Sequence, residues 1–504
     1  MGRLAVNTPA LPVETEIKLA LSPEHVRRLR RHPLLHAICP TRAKLHTVYF
    51  DTPDAVLLRH GVTLRLRHAR RRWLQTLKAC PGASGVLAQR AEWETPVTAA
   101  RLQLDRLPPE AQACLPPDTG AALSPCFETV IRRETWDMVQ EAARVEIALD
   151  RGEVRAGDLA WPISELELEL KHGSAEALFD VAEALVTALP LGLEPRSKAQ
   201  RGYQLIGALP LTPTKAMLPE LDGGAPALKS FADIARNCLR QFEANLPGFR
   251  LAADPDPEYI HQMRVALRRL RAAVGLLRFT DYAPPDWVPD LKWLMGELSQ
   301  ARDWDVFVTE TLPRIQRHLA QPERLAVLQP LAQQLRRVAH DRARRALDSP
   351  RPVQLWLRIE RTLMTLPLTS LTTTAWLRTA LHRRHRRLTR LGQRLQELDA
   401  AGRHALRIAA KKLRYGAEFF AGQRLKASNR FIRHLAALQD VLGGLNDAAV
   451  TARLLDDIRQ VSDVTVGEAL GLVSGFLAGE QAHRLAELER LWREFHRIEP
   501  FWSK

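Results

Sequence analysis

The sequence predicts an α+β chain of more than one domain, with a strand-rich N-terminal part followed by an all-helical C-terminal part. Three observations carry this. Apolar and polar residues alternate with period 2 in several segments of the first 210 residues or so, the signature of half-buried strands. The remainder shows long helical patterns and no such alternation. That remainder also repeats itself, which points to duplication. At roughly 100–200 residues per domain, a chain of 504 residues accommodates two to four domains. With 46% hydrophobic and 26% charged residues it has a globular composition, which excludes a disordered, collagen-like or mini-protein chain.

Taken in order, the strand segments are Val13–Leu19, Thr63–Arg67, Arg144–Asp150 and Glu165–Leu170. Helical patches fall between them, near Pro23–Arg31 and Ala175–Ala188. Prolines, Asp222 and the Gly223-Gly224 pair mark a linker over Ala208–Pro226. In the helical part, Ile260–Arg271 resembles Arg403–Arg414, with His261 and His404 lying 143 residues apart. Leu298–Val306 and Leu442–Val450 repeat at nearly the same offset. A period of this size is too long for a solenoid unit and predicts two related helical bundles in tandem. The expected boundaries are 1–208, a linker at 209–225, and 226–504 divided at about 360.

Lys and Arg total 73 against 57 Asp and Glu, a formal charge of +16. Residues 1–210 hold 27 and 25 of these, so the excess belongs to the helical part. Such a balance predicts attraction to polyanions and says nothing about fold. The five cysteines, Cys39, Cys80, Cys114, Cys126 and Cys238, form no CxxC pair, which indicates neither a disulfide framework nor a zinc site. A reducing, cytoplasmic setting is expected. No apolar leader or run of about 18 uncharged apolar residues is seen.

Alternate residues of a strand share a face. Glu14, Glu16 and Lys18 therefore lie together, as do Arg65 and Arg67; Arg144, Glu146 and Asp150; and Glu165, Glu167 and Glu169. Acids cluster on some strands and bases on others. Carboxylates and guanidiniums on one surface suit a divalent cation together with a polyphosphate, because hard oxygens bind Mg²⁺ or Mn²⁺ and guanidiniums fork onto phosphate.

Several of these segments fall in the order of a known family. Glu14-Thr15-Glu16-Ile17-Lys18 resembles the ExExK signature of the CYTH superfamily, the triphosphate tunnel metalloenzymes. Tyr49–Pro53, Leu64–Arg67, Lys78, Arg90 with Glu92, Arg132-Arg133, Val145–Asp150, Glu165–Leu170 and Ser197–Tyr203 follow in sequence, so the resemblance spans about 11–208. It implies an eight-stranded antiparallel β barrel around a tunnel. It also implies a metal held among Glu14, Glu16, Glu146, Asp150, Glu165 and Glu167. Lys18, Arg65, Arg67 and Lys78 would act in catalysis and, with Arg90, Arg133, Lys198 and Arg201, hold the substrate. Glu169 would support the other acids. The implied reaction is metal-dependent hydrolysis of inorganic triphosphate to pyrophosphate and phosphate, with Mg²⁺ or Mn²⁺ as cofactor. Basic groups would stabilise the leaving charge and a second metal would position water.

In the helical part, His261, Arg264, Arg268 and Arg271 have spacings 0, 3, 7 and 10, as do His404, Arg407, Lys411 and Arg414. On a helix each set falls within a sector of about 80°, opposite an apolar face. Apart from Glu418 after Arg414, acidic partners at i+4 are absent, so the stripe is dominated by one sign. A second broad basic face is read from Arg336, Arg337, His340 and Arg344, and the run His382–Arg390 adds more. These elements resemble the CHAD domain over about 226–498, which implies two four-helix bundles whose basic surface binds inorganic polyphosphate through those eight residues. Arg302-Asp303 and Asn446-Asp447 are expected to cap or brace helices.

The combination resembles bacterial inorganic triphosphatases. Two alternatives stand beside it: a non-catalytic polyphosphate-binding protein that targets granules, and a hydrolase or cyclase of an organic triphosphate such as thiamine triphosphate or a nucleotide. Specific nucleic-acid binding is not expected, since aromatics are 6% of residues and do not interleave with the basic stripe. Neither is a membrane. The expected location is cytoplasmic, in association with polyphosphate granules.

Overall fold

A computed structural model describes residues 13–69, 72–79, 86–117, 119–140, 142–421, 425–462 and 466–503. The chain divides into two units, residues 1–212 with 347–361, and residues 213–346 with 362–504.

Among the described residues, the first unit is built on nine strands: β1 (Val13–Ala20), β2 (Thr41–Asp51), β3 (Val62–Ala69), β4 (Arg72–Ala79), β5 (Leu87–Val97), β6 (Ser124–Gln140), β7 (Ala143–Ala156), β8 (Leu159–His172) and β9 (Gly192–Leu193). Every pairing is antiparallel, in the order β5-β4-β3-β2-β6-β7-β8-β1-β9. The eight-stranded closed barrel is corrected by this topology. The sheet has nine strands, and one edge of β1 is shared between two short pairings. Val13–Ile17 meets β5, and Leu19–Ala20 meets β9. The physical reason is that β8 takes the other edge of β1, so the remaining edge must satisfy its backbone groups piecewise.

Alternation decides what each face carries. On β1, Ile17 and Leu19 are fully buried on one side, while Glu16 and Lys18 on the other are also almost inaccessible. The apolar side of β1, β7 and β8 packs against a helix, Ala175–Ala188, whose Leu178, Phe179, Ala182 and Leu185 are buried. A second apolar cluster lies around Tyr49, Phe127, Ile131 and Tyr203. It anchors the helix Lys198–Leu205, which packs on β6, β7 and β8. Gly202 permits this close approach, because a Cβ there would lie 2.0 Å from the Phe127 ring.

The helical unit contains two successions of long helices. The first is Ala227–Leu251, Pro257–Leu277, Val288–Val306 and Leu328–Asp348; the second is Thr373–Gly392, Ala400–Phe420, Leu425–Val461 and Gly467–His496. The two copies are not separate bundles. Pro257–Leu277 packs on Ala400–Phe420, and Ala227–Leu251 packs on Thr373–Gly392. Their first helices begin with reciprocal bonds: Ala227 N–H donates to Leu371 O at 2.8 Å and Thr373 N–H to Ala225 O at 2.9 Å. Ser230 and Thr373 hydroxyls add a contact of 2.7 Å. Duplication therefore yields one helical region in which equivalent helices face each other. No helix among the described residues is long and apolar enough to cross a membrane.

Candidate functional site

Strand register gathers the charged side chains of the first unit. Lys18 sits opposite Glu167, Glu16 opposite Glu169, Ala148 opposite Glu167, and Glu146 opposite Glu169. Directly opposed residues on one face are near neighbours. Thr63, Lys78 and Glu92 line up across β3, β4 and β5. The result is a cavity of about 340 Å³ lined, among the described residues, by seven carboxylates and seven cationic side chains. The carboxylates are Glu14, Glu16, Glu92, Glu94, Glu146, Glu167 and Glu169, and the cations are Lys18, Arg65, Arg67, Lys78, Arg133, Lys171 and Lys198.

Opposite charges interlock along the walls. Lys78 Nζ lies 2.7 Å from both Glu14 Oε2 and Glu92 Oε2, and Arg65 donates to Glu92 at 3.2 Å. Burial would raise the Glu92 carboxyl, yet Lys78 and Arg65 hold it down to about 2. Lys18 stands 3.5 Å from Glu16 and 3.7 Å from Glu167. Lys171 pairs with Glu169 at 2.6 Å and lies 3.9 Å from Glu146. Burial outweighs that pairing at Glu169, whose carboxyl is raised.

Behind the cavity wall lies the tightest group. Asp150, Glu165 and Glu167 place one oxygen each within 4.8 Å of one another, an arrangement able to hold a metal ion. Asp150 and Glu165 are fully buried and do not line the cavity; Glu167 belongs to both. Lys198 Nζ already meets all three acids, at 2.6 Å from Asp150, 2.5 Å from Glu165 and 2.8 Å from Glu167. Arg133 forks onto Asp150 at 2.6 and 2.5 Å and reaches Glu167 at 2.7 Å. Arg201 donates to Glu165 and lies 3.4 Å from Glu194. Despite burial, Lys198 and Arg133 lower the Asp150 and Glu167 carboxyls. Local sequence sets the geometry. Ser197 and Gln200 form a capping box that starts the helix at Lys198, so its first residue faces the acids.

Arg67 differs from the other cavity cations. Its Nε, like that of Arg65, is buried with no hydrogen-bond partner, but Arg65 also donates to Glu92. Burial, then Arg65 and Arg133, push its guanidinium down to about 10. The Arg90 side chain lies outside the described residues. Glu94, Tyr49 and Lys171 line the cavity although the sequence motifs do not single them out, and Glu92 and Glu169 line it too. Glu92 and Glu94 continue the alternation from Arg90, and Lys171 continues Glu165-Glu167-Glu169, so the period itself carried the signal.

In the helical unit the two stripes meet because their helices pack together. Arg264, Arg268, Arg407 and Lys411 crowd one another. Burial and these neighbours push Arg264 down to about 10 and Lys411 down to about 7. Burial and Arg302 push His261 down to about 4. Asp303 lies 3.8 Å from Arg264 and 3.1 Å from Arg453, and Asp447 acts on Arg407 and Lys411. Both acids lie inside helices and brace the ridge. Three stripe members stand apart: His404 and Arg271 are exposed, and Arg414 pairs with Glu418 at 3.4 Å. The second basic face is corrected. Arg336 and His340 are buried on Asp305 at 2.7 and 2.8 Å, because an internal carboxylate outcompetes solvent for them.

Comparison with known proteins places these units. Residues 13–203 match the CYTH domain model and residues 233–456 the CHAD domain model. An inorganic triphosphatase of Haemophilus influenzae is 34% identical over 197 residues, which cover 38% of this chain and 54% of that protein. The chain thus spans about half the length of that curated relative. The crystal structure of the CHAD domain from the plant Ricinus communis is 34% identical with a TM-score of 0.51, covering 57% of this chain and 98% of that one. PptA from Streptomyces chartreusis is 19% identical with a TM-score of 0.44, covering 53% and 100%.

Proposed function

This chain contains a CYTH domain and, through its helical part, belongs to the CHAD family, and from that premise we propose that it is a metal-dependent inorganic triphosphatase with a polyphosphate-binding helical region. The observation that carries this reading is the cavity, in which seven cations and seven carboxylates face one small volume. A pure anion site would gain nothing from so many acids, whereas a site for a phosphate chain and a divalent cation needs both signs.

The donor set fits such an ion, because cavity carboxylates are hard oxygen ligands. Glu14, Glu16, Glu146 and Glu167 would hold Mg²⁺ or Mn²⁺ facing the substrate. Asp150 and Glu165 are engaged by Lys198, Arg133 and Arg201 and serve to position those cations and Glu167. When bound, the ion supplies charge neutralisation on phosphate oxygens and polarises water. The chain's own residues do the rest. Arg67, with its unpartnered Nε, takes a phosphate oxygen. Arg65, Lys18, Lys78, Arg133 and Lys198 spread their charge along the chain and stabilise the leaving pyrophosphate. Among the described residues lining the cavity, Tyr49 is the single aromatic one. That favours an inorganic chain over a nucleotide or a thiamine ester, which would need a stacking surface.

In the helical region, the crowded cations of the ridge are relieved by a polyanion, and linear polyphosphate is the proposed ligand. A cytoplasmic setting beside polyphosphate granules follows as part of the same proposal. The test is phosphate release from inorganic triphosphate, with and without Mg²⁺, for the wild type, Glu16→Gln and Arg67→Ala. Metal-dependent release that falls by about 10²–10³-fold in each variant is expected. No release by the wild type with any divalent cation, while polyphosphate still binds, would overturn the enzyme reading.

A further inference from the structure

Arg271 begins a separate cationic group. It lies with Arg278, Arg384 and Arg387 around Lys412, whose ammonium is lowered by burial and by those four cations. Three helices converge there: the end of Pro257–Leu277, the middle of Thr373–Gly392 and the middle of Ala400–Phe420. Arg384 ties them together. Its buried guanidinium donates to Lys412 O at 2.6 Å and to Ala272 O at 3.2 Å. It is held by carbonyls and not by a carboxylate, so its charge stays uncancelled. Burial and Arg278 push it down to about 9. Arg278 and Arg383 stand 4.6 and 5.7 Å from the centre of the Phe279 ring. Arg271, Arg278, Arg383, Arg387 and Lys412 are all exposed.

This group adjoins the ridge along the same two helices. Lys411 and Lys412 are neighbours on one helix, about 100° apart around its axis, and Arg268 and Arg271 are about one turn apart. We propose that Arg271, Arg278, Arg383, Arg387 and Lys412 form a second cationic patch, which takes the overhang of a long linear polyphosphate seated on the Arg264–Arg268–Arg407–Lys411 ridge. The proposal rests on the polyphosphate reading above. A flexible chain with charge at every phosphate can follow the surface from one group to the next. Each contact releases counterions, so both affinity and its salt dependence grow with the number of cations engaged.

The experiment measures binding of short-chain and long-chain polyphosphate fractions to the full chain across a salt series. The variants are Arg387→Ser/Lys412→Ser in the patch and Arg268→Ser/Arg407→Ser in the ridge. The patch variant should bind the long chain about 10-fold more weakly, with a salt slope smaller by roughly 1–2, and the short chain within about twofold of wild type. Arg387→Lys/Lys412→Arg should restore long-chain binding. Wild-type affinity of the patch variant for the long chain, or equal losses for both lengths, would overturn the patch. So would a loss seen with single-stranded DNA and not with long polyphosphate. Loss confined to the ridge variant would overturn the patch alone. Wild-type binding by both variants would overturn the ridge reading and the patch with it.

Discussion

The cavity of the strand unit and the ridge of the helical unit hold the same kinds of cation in opposite surroundings. In the cavity, Lys198 meets three carboxylates, Arg133 two and Lys78 two. On the ridge, Arg264, Arg268, Arg407 and Lys411 chiefly meet one another, with Asp303 and Asp447 as partial relief. The shifts follow suit: the Lys198 ammonium is raised despite burial, whereas that of Lys411 falls to about 7. Balanced, interlocked charge fixes side-chain positions and suits a ligand of defined size. One-signed charge creates a field and suits a ligand of variable length. Most cavity cations, Arg67 excepted, are thus stabilised by neighbouring acids, whereas ridge cations repel one another.

The contrast breaks or sharpens most decisively at Lys198. Lys198→Met leaves Asp150, Glu165 and Glu167 without their shared ammonium, and removing one partner of a buried pair costs about 3–5 kcal/mol. A denaturant titration should show this loss; unchanged stability would mean that the acids find relief elsewhere.

Next comes pH. Glu92 has its folded pKa depressed to about 2 from 4.5, so its stabilisation is present above about pH 4.5 and fades as pH falls toward 2. Lys411 is depressed from 10.5 to about 7. Between those values the unfolded chain binds the extra proton, so stability rises with pH across that window. If polyphosphate binds the ridge as proposed, it would restore the proton on Lys411, so its affinity should fall as pH rises above 7. Calorimetry in buffers of different ionisation enthalpy checks proton uptake on binding. Release in place of uptake would contradict the crowding.

The smallest effect is expected on the ridge. Arg268→Met removes a ridge cation and should leave stability within about 0.5 kcal/mol of wild type, or raise it. A melting temperature lowered as much as by Lys198→Met would erase the distinction between the two regions.

Much of this was legible in the one-dimensional pattern. Alternation on Val13–Leu19 and Glu165–Leu170 reports strand faces because side chains of a strand strictly alternate. The same rule extended one step further would have included Lys171 and Glu94. The repeated 0, 3, 7, 10 spacing reports a helical stripe because the helix has a fixed pitch. It could not separate Arg271 from Arg268, since the packing of Pro257–Leu277 on Ala400–Phe420 is what brings Arg271 near Lys412. Nor could it tell that Arg336 and His340 turn inward, because that depends on Asp305, about 30 residues away in sequence.

By itself, then, the sequence determined the two kinds of secondary structure, the duplication and the identity of the charged faces, all of which follow from local periodicity. Tertiary structure alone decided which charges meet. It divided the edge of β1 between β5 and β9, set Lys198 among three acids while leaving Glu14 and Glu16 on the cavity, and packed the two basic helices together. Coulomb energies and desolvation depend on distances across the fold, and those distances come from strand register and helix packing, which no local pattern contains.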